Sequence, residues 1–371
     1  MTARDLRLAI EPFRQSVEGA RVTVVGGARS GVAVAQLLAK RGATVFLSDH
    51  AADPARLGAE LEAAGVASEF GGHTDRALAA DLLVLSPGVP STSRLVVEAE
   101  AAGIPVVGEI EVASWFCRGP IVAVTGSNGK TTTTTLIAHV FQTAGLKHVV
   151  AGNIGTAFSD HLDEVDEDTH VVLEVSSFQL DHISTFRPHI AVLLNVTPDH
   201  LDRYDHDFER YAAAKYRLFE NQTPADWLVY NLDDEHVRQH VERAASERSL
   251  VAVPFSIEQT PTPGAFVRDV DGAEHITLSL PHRDPAEGPL TPTDPVYRDE
   301  DFMPTSDLAL RGRHNLYNSL AAAIVARAVE IRSDVVRQSL TSFEGVPHRL
   351  ERVRAVGGVD YVNDSKATNV N

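Results

Sequence analysis

A glycine-rich segment, TGSNGKTTTT, carries the clearest chemical signal in the sequence. It follows the β-branched run Ile121–Thr125 and opens a predicted helix. Glycines let the backbone approach oxyanions closely, and lysine and threonine at a helix N-terminus can serve outer phosphates and Mg²⁺. An ordinary glycine turn is the alternative, because Val124 replaces the first glycine of the eight-residue phosphate-loop pattern. We predict an ATP-type site formed by Gly126, Ser127, Asn128, Gly129, Lys130, Thr131 and Thr132.

Three side chains suited to phosphoryl transfer follow the central predicted strands. Glu174 ends an apolar run and could ligate Mg²⁺ together with Thr131, although a helix-capping or salt-bridged glutamate fits the same pattern. His200, in NVTPDHLD, could bind a second metal ion or the substrate, although a lone histidine is more often structural. Lys215 lies on a predicted helix and is the third candidate. A solvated surface lysine is the alternative to a role in the site.

Amide side chains provide two further candidates. Asn153 lies in GNIG, where the glycines would let the backbone approach a ligand and the amide can both donate and accept hydrogen bonds. Asn315 and Asn318 lie one helical turn apart in RHNLYN. They could contact an adenine edge, or they could cap their helix.

A weaker phosphate signal, GGARSG, follows the first predicted strand, with Ala28 in place of the middle glycine of a dinucleotide fingerprint. We predict a nucleoside diphosphate site here, with Gly31 in the loop and Asp49 near a ribose or base. Ser86 and Gly88 close another strand at the same predicted sheet edge. A sharp strand-to-helix turn without a ligand is the alternative.

Short apolar runs alternate with helical patterns along the chain, and this order predicts an α/β fold with parallel sheets. We predict a Rossmann-like domain over residues 1–118, a central P-loop ATPase-like α/β domain over 119–345, and the start of a truncated third α/β domain over 346–371. Residues 258–306, rich in proline and acidic residues, predict a hairpin with an acidic, partly mobile loop. The predicted strands are Arg21–Val25, Thr44–Ser48, Asp81–Leu85, Ile121–Thr125, His148–Ala151, Val171–Val175, Ile190–Asn195, Trp227–Tyr230 and Val359–Val362. The predicted helices include Val32–Arg41, Thr131–Ala144, Phe208–Asn221 and Asn315–Ile331.

Composition limits the partners of the chain. The formal net charge of −18 over 371 residues argues against binding to nucleic acid. The single cysteine, Cys117, can form neither an internal disulfide nor a cysteine zinc site. No run of 18 apolar residues occurs, so we expect no membrane insertion, with the cytoplasm as the default location. We also expect a monomer.

The segments TGSNGKTTT, GNIG, EVSSFQL, NVTPDHLDRY, GRHNLYN, PHRLE and NDSKATN occur in the order found in the Mur ligases. The sequence resembles that family over nearly its whole length. Its members are ATP-dependent enzymes that join amino acids to a UDP-sugar precursor of peptidoglycan. SSFQL together with DSKATN resembles the branch that adds D-glutamate to UDP-N-acetylmuramoyl-L-alanine. The resemblance therefore implies a role in cell-wall biogenesis, cell shape and cell division.

The resemblance also implies individual residue roles. Lys130 and Thr131 would bind phosphates and a first Mg²⁺, which Glu174 would share. His200 and Lys215 would serve a second Mg²⁺, with Lys215 carbamylated by CO₂ so that an anionic oxygen replaces the ammonium. The remaining implied contacts are Asn315, Asn318, Arg349 and Asp364 to ATP, Asn153 and His200 to the sugar-peptide substrate, Lys366 and Thr368 to D-glutamate, and Gly31, Asp49, Ser86 and Gly88 to the uridine diphosphate.

The implied reaction passes through an acyl phosphate, formed when the alanine carboxylate attacks the γ-phosphate of ATP and consumed when the D-glutamate amine attacks the acyl carbon. Members of the family continue into a third α/β domain, whereas this sequence stops at Asn371, just after DSKATN. We therefore expect ATP binding with weak or absent ligation. A non-catalytic chain that binds ATP or the UDP-sugar is the alternative to a ligase.

Overall fold

A computed structural model describes residues 2–53, 57–281, 297–346, 351–356, 359–363 and 365. The strands are β1 (Arg21–Val25), β2 (Thr44–Asp49), β3 (Ala67–Phe70), β4 (Leu82–Leu85), β5 (Val106–Gly108), β6 (Ile121–Thr125), β7 (His148–Gly152), β8 (His170–Glu174), β9 (Ile190–Leu193), β10 (Trp227–Asn231), β11 (Ala252–Ser256), β12 (Gly264–Val270), β13 (Ala273–Pro281), β14 (Tyr297–Pro304), β15 (Glu351–Val356) and β16 (Val359–Asn363). The α-helices are α1 (Ala3–Gln15), α2 (Arg29–Lys40), α3 (Leu57–Ala63), α4 (Arg94–Ala101), α5 (Glu109–Phe116), α6 (Lys130–Thr143), α7 (Ser177–Leu180), α8 (Phe208–Tyr216), α9 (Glu235–Arg248), α10 (Arg313–Ala328) and α11 (Ser333–Ser342).

The chain forms two compact units. Unit 1 comprises Met1–Ile121, Ala151–Pro188 and Pro198–Asn221, and unit 2 comprises Val122–Val150, His189–Thr197 and Gln222–Asn371. The α/β fold class predicted from the sequence is confirmed, because a parallel sheet and a larger mixed sheet are both present. Within the described residues, no helix combines the length and apolar character needed to cross a bilayer.

Unit 1 contains a five-stranded parallel sheet in the order β3-β2-β1-β4-β5. Both of its faces are buried, as the continuous apolar runs of its strands predict. Val22 and Val24 of β1 pack in one core cluster with Leu38 of α2. Val25 packs in a second cluster with Val96 of α4. The central strand therefore ends in a buried, well-fixed position from which the GGARSG loop departs.

Unit 2 contains the strands β14-β13-β12-β11-β10-β9-β6 of the larger sheet, in that order. β6, β9 and β10 are parallel, whereas β12, β13 and β14 pair antiparallel. The predicted hairpin within residues 258–306 is therefore confirmed, and its predicted acidic loop falls largely on residues 282–296, outside the described part of the chain. β15 and β16 form a separate antiparallel pair.

Most predicted elements are confirmed, with shifted ends. β1 and β6 have the predicted bounds, whereas β9 ends at Leu193 instead of Asn195, because the Asn195 side chain bonds to the backbone of another loop. Helix α8 ends at Tyr216, and a 3₁₀ turn, Arg217–Phe219, follows it. The sequence prediction missed β3, β5, β11, β15 and one of the three strands within residues 258–306. Two of these, ASEF and VVG, are too short to show a hydrophobic period.

Candidate functional site

The GSNGK loop in unit 2 is a cradle closed by its own lysine. It joins β6 to α6, and Gly129 turns the chain with a φ of 83°, a left-handed conformation that favours glycine. The Lys130 Nζ donates hydrogen bonds to the carbonyl oxygens of Gly126 at 2.8 Å and Ser127 at 2.9 Å. The ammonium thus lies over the loop, and Thr131 and Thr132 occupy the first turn of the helix. This arrangement can present one cation and several backbone amides to phosphate oxygens.

The segment after β9 holds this loop in shape, a role that sequence reasoning missed. The Asn195 Oδ1 accepts from the Asn128 N–H at 2.8 Å, and the Asn195 Nδ2 donates to the Asn128 carbonyl at 3.0 Å. The Ser127 Oγ donates to the Thr197 carbonyl at 2.8 Å and accepts from the Thr197 N–H at 2.9 Å. The only sequence signal was a polar run after a buried strand, NVTPD.

Asn318 lies against the same loop. It is 5% exposed, and its Oδ1 accepts from the Thr133 Oγ1 of α6 at 3.1 Å. A Cβ added to Gly129 would lie 2.6 Å from that oxygen, so the glycine and the amide fit closely. Asn315 donates to the Arg311 carbonyl at 2.8 Å and its Oδ1 accepts from the Asn318 Nδ2 at 3.3 Å. The structure brings Asn318 to the phosphate loop, and the adenine contacts stay predictions.

Glu174 in unit 1 is buried at the end of β8, with 3% of its surface exposed. Its Oε1 accepts from the Asn153 Nδ2 at 2.8 Å, and the Asn153 N–H donates to the Glu174 carbonyl at 2.8 Å. Its Oε2 is buried and has no hydrogen-bond partner among the residues that the structure describes. The helix-capping alternative is wrong, because Ser176 caps α7. A buried carboxylate oxygen with no donor is costly, and a hard cation such as Mg²⁺ would satisfy it.

The Glu174 Oε2 could serve as one ligand of such a cation. Within the described residues, no three His, Cys, Asp or Glu side chains form a metal-binding group. Mg²⁺ commonly keeps several waters and takes phosphate oxygens beside one or two carboxylates. Glu174 could therefore provide the single carboxylate of a Mg²⁺ ion whose other ligands are waters or phosphate oxygens.

Lys215 is buried in unit 1, and the surface-lysine alternative is therefore wrong. It is 2% exposed on α8, and its Nζ lies 4.7 Å from the centroid of the Tyr211 ring. The small residues Ala212 and Ala214 are also buried, which lets the helix pack closely. Carbamylation of this amine stays a prediction.

His200 lies in an aromatic group in unit 1. Its backbone is left-handed, with a φ of 48°, and 54% of its side chain is exposed. Its ring centroid lies 5.5 Å from that of Phe178. The Arg203 guanidinium lies 4.4 Å from the Phe178 ring and donates to the Gly88 carbonyl at 3.2 Å. The structure thus connects His200 to Gly88 through two residues that the sequence reasoning did not single out.

The same group contains a carboxyl with an altered pKa. Burial raises the pKa of Asp181 to about 6, although a hydrogen bond from the Tyr204 hydroxyl and the nearby Arg217 oppose this effect. Such a carboxyl is partly protonated in mildly acidic solution.

The GGARSG loop in unit 1 is also tightly built. A Cβ on Gly31 would lie 1.8 Å from the Gly26 carbonyl oxygen, so only glycine fits there. Ala28 has extended backbone, with φ −76° and ψ 173°, which any residue adopts, so the missing middle glycine does not distort the loop. The Asp49 carboxylate holds the loop, since it accepts from the N–H groups of Gly27 and Ala51.

A cavity of about 380 Å³ opens beside this loop. Its lining includes Asp49 and Gly88, which the sequence predicts for the nucleoside diphosphate site, and Gly26 of the GGARSG loop. Ser86 is 3% exposed and lies beneath Gly31, and its Oγ has no hydrogen-bond partner within the described part of the chain. Sequence reasoning missed four polar residues of the lining, because they follow no phosphate pattern: His50, His73, Ser93 and Arg94.

Four predicted site residues lie outside the described part of the chain, so their roles stay predictions. These are Arg349, Asp364, Lys366 and Thr368.

The sequence of this chain matches two family models and several relatives. Residues 20–108 match the N-terminal domain of MurD-like Mur ligases, and residues 124–326 match the Mur ligase middle domain. The UDP-N-acetylmuramoylalanine–D-glutamate ligase of Salinibacter ruber is 55% identical over 360 residues, which cover 96% of this chain and 74% of that relative. The chain belongs to the Mur ligase family. The ligase of the same name from Chloroherpeton thalassium is 44% identical to this Mur ligase over 367 residues, with coverage of 96% and 75%.

Solved structures share the fold of this Mur ligase. The UDP-N-acetylmuramate:L-alanyl-γ-D-glutamyl-meso-diaminopimelate ligase of Neisseria meningitides has a TM-score of 0.55 at 20% identity, and the match covers 88% of this chain and 99% of that one. The UDP-N-acetylmuramate–alanine ligase of Thermotoga maritima has a TM-score of 0.51 at 19% identity, with coverage of 93% and 74%. At such identities the likeness concerns the fold alone.

Proposed function

We propose that this Mur ligase joins D-glutamate to UDP-N-acetylmuramoyl-L-alanine at the expense of ATP, as a step in peptidoglycan precursor synthesis. One observation carries the proposal: the chain is 55% identical, over 96% of its length, to a relative named for that reaction. The phosphate loop and the cavity beside the GGARSG loop support it, because the reaction needs separate sites for ATP and a nucleotide sugar. We further propose a cytoplasmic monomer that acts in cell-wall growth.

The phosphate loop would bind and neutralise the ATP phosphates. Lys130 would exchange its two loop carbonyl partners for a γ-phosphate oxygen, and so stabilise negative charge that spreads over the transferred group. Asn195 would keep the loop amides oriented before ATP arrives, since its hydrogen bonds need no ligand. Asn318 and Asn315 would lie at the adenine end.

Glu174 would ligate Mg²⁺ with its unbonded Oε2 while Asn153 fixes the other oxygen. When bound, Mg²⁺ would supply positive charge to the phosphate oxygens. The proposal includes Thr131 as a further Mg²⁺ ligand, and His200 with carbamylated Lys215 as ligands of a second Mg²⁺. A neutral amine reacts with CO₂ more readily than an ammonium, so the proposed carbamate would form from the deprotonated Lys215 side chain.

The proposed chemistry has two steps and needs no side-chain nucleophile. The alanine carboxylate attacks the γ-phosphorus, ADP leaves, and an acyl phosphate forms. The D-glutamate amine then attacks the acyl carbon, loses a proton, and inorganic phosphate leaves as the amide bond forms.

Phosphate release from the purified chain tests this proposal. We expect slow release, in line with the weak ligation expected from the sequence. This release should require ATP, Mg²⁺, UDP-N-acetylmuramoyl-L-alanine and D-glutamate together and fall when any one of them is omitted. Replacement of D-glutamate by L-glutamate or by another amino acid should abolish the release of phosphate. ATP binding without any turnover under these conditions, or equal turnover with several amino acids, would contradict the proposal.

A further inference from the structure

A hydrogen-bonded chain in unit 1 fixes one histidine at the cavity beside the GGARSG loop. Ser48 lies at 0% exposure in β2, and its Oγ lies 2.6 Å from the Glu69 Oε1 and 2.7 Å from the His73 Nδ1. Thr74 donates its hydroxyl to the Glu69 Oε2 at 2.6 Å and its N–H to the Oε1 at 3.1 Å. His73 itself is exposed and lines the cavity.

The direction of each hydrogen bond in this chain follows from the number of protons. Burial opposes ionisation of Glu69, but the bonds from Ser48 and Thr74 outweigh it and lower the pKa of that carboxyl. An ionised carboxylate only accepts, so the single Ser48 hydroxyl hydrogen goes to Glu69. The Ser48 Oγ must then accept from His73, which places a hydrogen on the His73 Nδ1.

The tautomer decides what His73 offers to a ligand. A neutral imidazole with hydrogen on Nδ1 has a lone pair on Nε2, and Nε2 is therefore a hydrogen-bond acceptor. The Nδ1 edge is engaged by buried Ser48, so Nε2 is the ring nitrogen available at the cavity. The two oxygens of Asp49, another residue of the lining, already accept from backbone N–H groups.

We infer that His73 is a specificity-determining residue that selects a uracil base by accepting its imide N3–H at Nε2. This inference rests on the proposed function, which brings a uridine nucleotide to unit 1. Uracil carries a hydrogen on N3, whereas the N3 of cytosine carries a lone pair that would face the lone pair of Nε2. The cavity volume of about 380 Å³ lies in the range of sites for small ligands.

Calorimetric titration with UDP and CDP tests the inference. The wild-type chain should prefer UDP, and His73→Ala should lower the affinity for UDP about fivefold, the size of one hydrogen bond, while the affinity for CDP stays the same or rises. Ser48→Ala should reduce the preference partly, because it removes the acceptor that fixes the tautomer. His275→Ala, the same change on β13 in unit 2, should leave both affinities unchanged.

A probe that needs no variant provides an independent check. Uridine diphosphate methylated at N3 lacks the imide hydrogen, so the wild-type chain should bind it more weakly than UDP, and His73→Ala should narrow that difference. Equal losses of UDP and CDP affinity in His73→Ala would overturn the inference and leave UDP binding, and with it the proposed function, intact. Failure of the wild-type chain to bind UDP at all would overturn both. Preference for UDP that depends on His73 in a chain without ligation would support the inference and contradict the proposed ligase.

Discussion

Two glycine loops, GGARSG in unit 1 and GSNGK in unit 2, follow buried strands and open helices, yet different chemistry holds them. Asp49 carries a carboxylate, which accepts from the N–H of Gly27 in the first loop and from the N–H of Ala51, two residues after Asp49 itself. Asn195, a neutral amide, both donates to and accepts from the backbone of the second loop. Lys130 lies over the second loop, whereas the corresponding helix of the first loop begins at Arg29. A neutral holder adds no negative charge beside the lysine of the second loop.

The largest expected effect follows from removal of the cation of the GSNGK loop. Lys130→Ala should lower kcat for ATP-dependent ligation about 1000-fold, because no other side chain of that loop can neutralise the transferred phosphoryl group. Steady-state phosphate release measures the effect, and Lys40→Ala, which removes an exposed lysine from α2, is the matched control. A loss of less than tenfold would show that the loop does not bind the reacting phosphate.

The second largest effect is expected on stability, from a side chain added to the tightly packed GGARSG loop. Gly31→Ala should lower the free energy of unfolding by about 3 kcal/mol, because its Cβ would overlap the Gly26 carbonyl, a backbone atom that cannot rotate away. Ala28→Gly in the same loop should change it by no more than about 0.5 kcal/mol. Urea denaturation measures both variants. Similar stabilities would mean that the loop relaxes and is less tightly built than the structure indicates.

Exchange of the holder in the GSNGK loop tests the comparison directly. Asn195→Asp should weaken ATP binding roughly 100-fold, because a carboxylate oxygen would face the Asn128 carbonyl and add negative charge near the phosphates. Asn231→Asp is the control, since Asn231 accepts from the Asp233 N–H and an aspartate can still do so. Titration of ATP into each variant gives the affinities. Unchanged ATP affinity in Asn195→Asp would remove the argument for a neutral holder.

The reciprocal exchange should have the smallest effect. Asp49→Asn should weaken UDP binding roughly tenfold, because one of its two backbone N–H partners would face an amide hydrogen. ATP affinity should not change in this variant, and UDP affinity should not change in Asn195→Asp. If each variant lowered the affinity for both ligands equally, the two loops would not serve separate nucleotides.

Local patterns predicted the elements, but not the partners that hold them. The strand β6 and the glycine turn after it were read correctly because both signals lie within ten residues. The sequence places Asn195 at the end of a strand, because its hydrogen bond to Asn128 spans 67 positions and leaves no trace in the local sequence. The local sequence does not reveal the burial of Lys215 either, because its helix carries no clear apolar stripe. The sequence predicts the two loops, whereas the structure shows that Asp49 and Asn195 hold them through hydrogen bonds.

The burial of Lys215 also acts as a filter on what can modify it. Carbon dioxide is small and uncharged and needs little space to reach an amine that is 2% exposed. Bulky acylating or sulfonated labelling reagents need an open surface, as at Lys40, whose side chain is 69% exposed. In a mass-spectrometric footprint of the folded chain, Lys40 should react early, and Lys215 only after denaturation.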